Sequence, residues 1–288
     1  LLAMHRQEIK QRGYGGKLWQ LVKMGKRKRE EFIMSLLKKF AAMAMVAVMA
    51  VGMTACGGGD DAADTKTYVI ATDTTFAPFE FQNDAGEYVG VDMDLLAAIA
   101  EDQGFKYDLQ YLGFDAAVQA LESGQADGVI AGMSITPERQ KKFDFSDPYF
   151  DSGVVMGIAE DNNDIKSYED LKGKKVAVKR GTEGYDFAES IKDQYGFETV
   201  VFDTSDAMCM DVKVGNSVAC FEDYPVLGYG ITQGNGLKMV TDKEQGSSYG
   251  FAVGKGENAE LLKMFNTGLA NLKENGKYQE ILDTYIQE

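Results

Sequence analysis

The stretch KYDLQYLGFDAAVQALESGQADGVIA, residues 106–131, changes its hydrophobic period twice within 26 residues. Polar and apolar side chains alternate along residues 106–112, which predicts a β-strand. Apolar side chains then recur at helical spacing over residues 114–123, before a glycine that would end a helix. A short apolar run at 127–131 predicts a second, buried strand. The stretch is therefore typical of a strand–helix–strand unit.

The same alternation continues on both sides of this unit. Upstream, a β-rich run at 68–71 precedes a helical pattern at 93–101. At the other end, two helical patterns, about 261–272 and 277–286, close the chain. Downstream, a second block has predicted strands at 175–179, 198–202 and 218–221, and predicted helices at 184–195, at 206–214 and from Pro225 onward.

The repeated alternation predicts the fold class. Two successive β/α blocks imply an α/β protein of two lobes with mainly parallel sheets. In such sheets, ligands collect beyond the carboxyl ends of the strands. The loops that meet this condition are 71–76, 131–139, 179–183 and 222–224.

The charge is distributed very unevenly along the chain. The protein has 288 residues and a net charge of −15. Its first 55 residues hold 11 lysines and arginines against 3 acidic residues, so the remaining 233 carry 19 basic and 42 acidic residues. A body this acidic repels nucleic acid and anionic membrane surfaces. We therefore expect no nucleic-acid partner for the folded part.

The composition also excludes several kinds of catalysis. The single histidine, His5, and the single tryptophan, Trp19, both lie in the opening stretch. If that stretch is absent from the mature protein, neither Ser-His-Asp or Cys-His catalysis nor a histidine-ligated metal site is possible. We expect no cofactor.

Residues 34–55 have the features of a lipoprotein signal peptide. Two lysines precede an apolar run of 16 residues, which is shorter than the ~20 that a spanning helix needs. The run ends in small residues before Cys56, a pattern similar to a lipobox with Met53 where leucine is usual. Cys56 would then carry lipid, and residues 56–65 would form a flexible acidic tether to the membrane. The alternative is a cleaved secretory peptide followed by an unmodified cysteine.

Residues 1–33 precede this signal and are strongly basic. The codons for residues 29–31 can form a purine-rich string like a bacterial ribosome-binding site, at a suitable distance before Met34. We therefore expect 1–33 to be translated leader and Met34 to be the native start. A basic arm that binds nucleic acid is the alternative, although it conflicts with export.

In two of the four loops, one residue could bind a ligand carboxylate and another could form an apolar wall of a pocket. Pro137 predicts a helix beginning at residues 136–139, with Arg139 in its first turn. A guanidinium beside the free N–H groups of a helix start suits a carboxylate, although a solvated surface charge is the other interpretation. Phe76 follows a strand end in a polar stretch and could wall a pocket, or it could be an ordinary core residue.

The other two loops carry a hydroxyl and two acids. Thr182 follows a glycine at a predicted helix start. Glu222 and Asp223 follow an apolar strand, so one of them could accept the protons of an ammonium group, or both could cap the next helix. Cys209 and Cys220 could form a disulfide in an exported protein, or both could be small buried hydrophobes.

Four motifs resemble those of the polar amino-acid-binding proteins of bacterial ABC importers, solute-binding protein family 3, and most of all its glutamine binders. These motifs are ATDTTFAPFEF (71–81), GVDMDLLAAIA (90–100), AGMSITPERQKKFDFSDPYF (131–150) and VAVKRGTEG (176–184).

The resemblance implies a two-lobed periplasmic-binding-protein fold of type II with two hinge crossovers, in a monomer that is not an enzyme. It implies an extracytoplasmic receptor that hands an amino acid to a membrane permease. Lobe 1 would comprise residues 66–150 plus 248–288, and lobe 2 residues 154–244. The hinges would lie at about 149–153 and 245–249.

The resemblance also assigns roles to residues at matching motif positions. Arg139 would clamp the α-carboxylate, and Asp223 would hold the α-ammonium. Phe76 and Phe114 would sandwich the carbon chain of the ligand. The remaining assignments are Ser134 and the backbone of Gly132 and Thr182, which would help with the carboxylate, and Asp73 and Lys179, which would meet a side-chain amide.

Two departures bear on the ligand. Glu222 stands where the glutamine binders have histidine, and Glu183 stands where they have glycine. An extra acid could favour a cationic side chain, whereas Lys179 argues for glutamine. We expect glutamine, with a basic amino acid (arginine, lysine or histidine) as the alternative. Less favoured are an enzyme on this scaffold, since some relatives dehydrate cyclic acids, and the sensor part of a receptor kinase or channel.

Overall fold

The computed structural model describes residues 66–286, apart from the side chain of Gln245. The predicted leader (1–33), signal peptide (34–55) and lipidated cysteine with its tether (56–65) lie outside the described residues.

The described residues form short strands interleaved with seven α-helices. The strands are β1 (Thr67–Thr72), β2 (Phe81–Gln82), β3 (Tyr88–Val89), β4 (Lys106–Tyr111), β5 (Gly128–Val129), β6 (Phe143–Phe145), β7 (Phe150–Ala159), β8 (Lys175–Lys179), β9 (Glu198–Phe202), β10 (Ala219–Asp223), β11 (Leu237–Met239), β12 (Glu244–Tyr249) and β13 (Ala252–Gly254). The α-helices are α1 (Val91–Gln103), α2 (Phe114–Glu122), α3 (Glu183–Tyr195), α4 (Ser205–Lys213), α5 (Tyr224–Thr232), α6 (Ala259–Glu274) and α7 (Lys277–Tyr285). Two 3₁₀ helices span Arg139–Lys141 and Tyr168–Leu171.

The strands form two main sheets, and the α/β prediction of two lobes is confirmed. The first sheet has the order β4-β1-β5-β13-β6, and the second has the order β11-β7-β10-β8-β9 with β12 paired to β7. Buried apolar residues lie on both faces of each sheet and pack against the helices. Each lobe therefore has its own core, covered by helices on two sides.

The prediction of mainly parallel sheets is wrong outside the centre of each lobe. β1 pairs in parallel with β4 and β5, and β8 pairs in parallel with β9 and β10. β7 and β13 instead pair antiparallel with their neighbours. These two strands enter from the other lobe rather than through a helical crossover on their own sheet, which a parallel neighbour would require.

The chain crosses between the lobes twice. It leaves the first sheet after β6 and enters the second at β7, and it returns between β12 and β13. The crossing strands β7 and β12 pair with each other, with Tyr249 opposite Phe150 and Ser247 opposite Ser152. The two crossovers expected of the type II fold are therefore present, while the bending of the hinge ranges stays a prediction.

The predicted helix at 136–139 is wrong. Only the 3₁₀ helix Arg139–Lys141 forms there, and β6 begins at Phe143. β6 pairs with β13, so the chain has to become extended before a second helical turn can follow. The backbone N–H of Arg139 donates to the Thr136 hydroxyl at 3.2 Å, so this N–H is not free to meet a ligand.

Candidate ligand-binding site

The predicted site residues lie at the carboxyl ends of the central parallel strands. Asp73 follows β1 directly, Lys179 is the last residue of β8, and Asp223 is the last residue of β10. Strand polarity requires this placement, since the carboxyl ends of parallel strands share one edge of a sheet. In this structure the edges of the two lobes meet.

Lys179 of lobe 2 and Asp73 of lobe 1 form an ion pair across the meeting edges. The Lys179 ammonium donates to Asp73 Oδ2, and both side chains are 1% exposed. The same Nζ lies 4.9 Å from the centroid of the Phe76 ring. Burying two charges is costly unless each has partners, so this pair is a specific feature of the interface rather than a surface contact.

Lys179 has further partners in its own lobe. Its Nζ donates to the Ser205 hydroxyl at 3.3 Å, and that hydroxyl donates to Glu222 Oε2 at 2.8 Å. Burial alone would lower the pKa of Lys179, but Asp73 and Glu222 outweigh it and raise that pKa. Burial raises the pKa of Glu222, and the nearby Lys179 opposes the rise. The Ser205 hydroxyl therefore links Lys179 to Glu222 by two hydrogen bonds.

Arg139 lies where it can reach both lobes. Its Nη1 donates to the Ser134 carbonyl at 2.9 Å, and its Nη2 donates to the Gly181 carbonyl of lobe 2 at 3.0 Å. Its guanidinium carbon is 5.2 Å from the centroid of the Phe114 ring. Because a guanidinium has five N–H donors, further donors remain for a carboxylate. Burial lowers the pKa of Arg139, and the acids Glu183 and Asp223 partly restore it.

Asp223 is buried and hydrogen-bonded to the second crossing strand. Its Oδ2 accepts from the Tyr249 hydroxyl at 2.7 Å, and its side chain is largely excluded from solvent. Burial, followed by the adjacent Glu222, raises the pKa of Asp223 to about 8. A cation placed against Asp223 would favour its carboxylate form, so the residue is suited to a ligand ammonium.

Thr182 and Glu183 begin helix α3 next to this acid. The Thr182 hydroxyl donates to the Lys179 carbonyl at 2.8 Å and caps α3 by accepting from Tyr185 N at 3.2 Å. Glu183 Oε2 accepts from the Ser247 hydroxyl of β12 at 2.7 Å. The capping bonds occupy the Thr182 side chain. Its backbone is also bonded, since the N–H donates to the Lys179 carbonyl at 3.4 Å and the carbonyl accepts from Asp186 N at 3.2 Å.

Gly132 and Phe76 pack closely on each other in lobe 1. Gly132 has a φ of +50°, and a Cβ at this position would lie 2.3 Å from an atom of the Phe76 ring. Only glycine suits both the conformation and the close approach. The resemblance assigns the backbone of Gly132 to the ligand carboxylate, but its N–H donates to Asp92 Oδ2 at 2.7 Å. Its carbonyl is therefore the backbone group that remains for a ligand.

Phe114 and Ser134 lie next to Arg139, and Phe76 lies next to Lys179. Phe76 is 4% exposed, Phe114 is 5% exposed and Ser134 is 2% exposed. All eleven residues named from the sequence for the ligand site thus lie in or beside the meeting edges of the two lobes: Asp73, Phe76, Phe114, Gly132, Ser134, Arg139, Lys179, Thr182, Glu183, Glu222 and Asp223.

Several polar residues of this region were not found by sequence reasoning. Tyr249 and Ser205 bond to the two acids Asp223 and Glu222, and Asp92 bonds to Gly132 and, at 2.9 Å, to the Tyr149 hydroxyl. No local pattern marks them, because each meets its partner through a contact that is distant along the chain. Cys209 and Cys220 are free thiols in this structure. In the range 66–286, no group of three or more histidines, cysteines or acids is arranged to hold a metal ion.

A model of the bacterial extracellular solute-binding proteins, family 3, matches residues 68–288. The chain belongs to this family. The arginine-binding protein 1 of an Escherichia coli ABC transporter is 30% identical to it over 236 residues, which cover 80% of this chain and 94% of that protein. As a family 3 protein, the chain is an extracytoplasmic amino-acid-binding component of an ABC transporter.

Two solved structures are similar to this chain in both fold and sequence. Substrate-binding domain 2 of Lactococcus lactis GlnP, in an open conformation, is 42% identical and covers 78% of this chain and 97% of its own, with a TM-score of 0.56. An ancestral arginine-binding protein bound to glutamine is 39% identical and covers 77% of this chain and 98% of its own, with a TM-score of 0.71. Of residues 66–286, no helix combines the length and apolar character needed to cross a membrane.

Proposed function

We propose that this protein captures free L-glutamine outside the cytoplasm and delivers it to the membrane permease of its importer. The observation that carries this choice is the buried Lys179–Asp73 pair beside the Phe76 ring. The pair lies at the same meeting edges of the two lobes as Arg139 and Asp223, which we assign to the α-carboxylate and the α-ammonium. An amino acid held by its two charged ends would extend its side chain toward the pair.

An amide matches this pair chemically. The amide oxygen of glutamine would accept from the Lys179 ammonium, and its NH₂ would donate to the Asp73 carboxylate. A buried amide without such partners would cost about 1–3 kcal/mol per group. Glutamate would place a second carboxylate near Asp73, and arginine would place a guanidinium near Lys179. Both meet a like charge that glutamine does not.

A basic amino acid is the second candidate, and the number of acids at the site favours it. Four carboxyls (Asp73, Glu183, Glu222 and Asp223) face two cations (Lys179 and Arg139). Curated relatives include an arginine-binding protein of Bacillus subtilis and a probable histidine-binding protein of Neisseria gonorrhoeae. The ancestral arginine-binding protein has been solved with arginine as well as with glutamine.

A panel of amino acids distinguishes these candidates. We expect glutamine to raise the unfolding temperature of the purified protein more than arginine, lysine, histidine or glutamate does. A ligand at 100 times its dissociation constant stabilises a protein by about 2.7 kcal/mol, which a thermal-shift assay detects readily. Calorimetry then gives each dissociation constant. Glutamate is the matched control, because it differs from glutamine only at the amide.

The outcomes of the panel separate clearly. Tighter binding of arginine or histidine would assign the selectivity to Glu222 and Glu183 and would overturn the glutamine proposal. No response to any amino acid would contradict amino-acid capture by this chain.

We also propose that the protein is a monomer and catalyses no reaction, so glutamine recovered after incubation should be chemically unchanged.

We propose that Cys56 carries a lipid that anchors the protein to the outer face of the cell membrane. Replacing Cys56 with serine in the native host should move the protein from the membrane fraction to the soluble fraction, since the thiol that would carry the lipid is lost. Cys209→Ser is the matched control, and it should leave the protein in the membrane fraction. Retention of the Cys56→Ser protein on membranes would contradict lipid anchoring.

A further inference from the structure

The Tyr249 hydroxyl connects the crossing strands to the acid proposed to hold the ligand ammonium. Tyr249 is the last residue of β12 and is 0% exposed. Its hydroxyl donates to Asp223 Oδ2 at 2.7 Å and accepts from the Ser152 hydroxyl of β7 at 3.0 Å. The three groups form a chain of hydrogen bonds that runs from β7 through β12 to the end of β10.

The backbone fixes both hydroxyls in this chain. Tyr249 is paired with Phe150, and the Tyr249 carbonyl accepts from Tyr149 N at 2.9 Å. Ser152 lies two residues further along β7, on the same face of the strand as Phe150. The direction of the Tyr249 hydroxyl is therefore set by the two segments through which the chain passes between the lobes.

The side chains around Asp223 make this hydroxyl important. Glu222 on β10 and Glu183 on α3 both disfavour a negative charge on Asp223, whereas Arg139 from lobe 1 favours it. Tyr249 supplies the hydrogen bond to the carboxylate from β12. Without it, Asp223 would lie buried beside two other acids with one fewer group to hold its charge and its orientation.

We propose that Tyr249 is a positioning residue, which holds Asp223 charged and directed toward the α-ammonium of the bound amino acid, with Ser152 orienting its hydroxyl. This inference rests on the proposed function, since it assumes an amino-acid ligand whose ammonium meets Asp223.

The pKa of Asp223 supplies a pH-dependent signature of this role. The pKa of about 8 already includes the lowering effect of the Tyr249 hydroxyl, so loss of that hydroxyl raises it further. Only the carboxylate form attracts an ammonium, and affinity should therefore rise with pH as Asp223 loses its proton. In the absence of the hydroxyl this rise should occur at higher pH.

The experiment measures glutamine binding to wild type and Tyr249→Phe by calorimetry from pH 6 to pH 8.5. The ring, which packs on Phe79 at 5.0 Å between centroids, is kept. We expect binding to Tyr249→Phe to be about tenfold or more weaker at pH 6.5, since a hydrogen bond to a charged group is lost. The ratio of the two dissociation constants, which cancels the ligand's own ionisation, should shrink toward pH 8.5.

Two further variants keep the outcome interpretable. Tyr285→Phe removes a hydroxyl that donates to Asp94 at 2.8 Å, a bond of the same kind outside the site, and should bind like wild type at every pH. Ser152→Ala should show a smaller loss with the same pH trend, which preserves the test if Tyr249→Phe fails to fold.

A ratio that stays constant with pH, or wild-type affinity of both Tyr249→Phe and Ser152→Ala, would overturn the positioning role. Failure of the wild-type protein to bind glutamine would instead contradict the glutamine proposal. In that case the same pH series with arginine, or with whichever amino acid binds in the panel, tests Tyr249.

Discussion

Arg139→Ala is expected to weaken binding of the amino-acid ligand by about 30-fold or more. Arg139 donates across the lobes, to the Gly181 carbonyl at 3.0 Å, as Lys179 does to Asp73. Its removal would leave the ligand carboxylate buried without its ionic partner, and truncating one member of such a pair costs about 2–5 kcal/mol. Calorimetry with the tightest ligand of the panel measures the change.

The exposed Arg180, next to Gly181 in the sequence, provides a matched control for Arg139. The Arg180 side chain is 51% exposed and pairs with Asp203, whose side chain is 81% exposed. Exposed pairs of this kind contribute little, so Arg180→Ala should bind within about twofold of wild type. Arg139→Lys keeps the charge but loses the planar fork and should bind with intermediate affinity. Affinity near that of wild type for Arg139→Ala would contradict the assignment of the carboxylate to this residue.

Lys179→Met is expected to lower the free energy of unfolding of the ligand-free protein by about 3–5 kcal/mol. The substitution keeps the apolar stem but leaves the buried Asp73 carboxylate without its cation, which is the costly case for a buried pair. It also removes a donor to Ser205 and the ammonium beside Phe76. Chemical denaturation followed by circular dichroism measures the change.

Two further variants test the cause of this loss. The double variant Asp73→Asn with Lys179→Met removes both charges and should recover part of the lost stability. Lys141→Met removes an exposed cation whose partner is Glu138 and should cost no more than about 1 kcal/mol. A loss in Lys179→Met as small as this control would show that the Lys179–Asp73 pair does not stabilise the ligand-free protein.

The fold was predictable wherever the pattern was local and regular. The strand Glu198–Phe202 was predicted with the bounds that the structure has, and the helices that begin near Glu183 and Ser205 were predicted to within one residue. The short segment around Arg139 was not, because the pairing of β6 with β13 requires the chain to be extended from Phe143 onward. Local preference decides only where no long-range pairing opposes it.

For the candidate site, the sequence determined which residue types lie at the strand ends. It placed an arginine, a lysine and several acids in four loops. Because the single histidine is His5, the composition also excludes histidine catalysis within residues 66–286. The contacts among those residues came from the tertiary structure. Lys179 and Asp73 are 106 residues apart along the chain, and Tyr249 and Asp223 meet only through the crossing strands.

The physical reason for this division is the range of the interactions. Hydrophobic period, turn residues and charge are properties of neighbouring residues, so they can be read along the chain. The partner of a buried charge depends on sheet register and on the contact between two lobes, and both are set by the whole core. The sequence by itself therefore determined the fold class, the family resemblance and the location of the chemistry. Only the tertiary structure decided that Asp73 rather than Glu222 pairs directly with Lys179, and that Asp223 accepts a hydrogen bond from Tyr249 of the crossing strand β12.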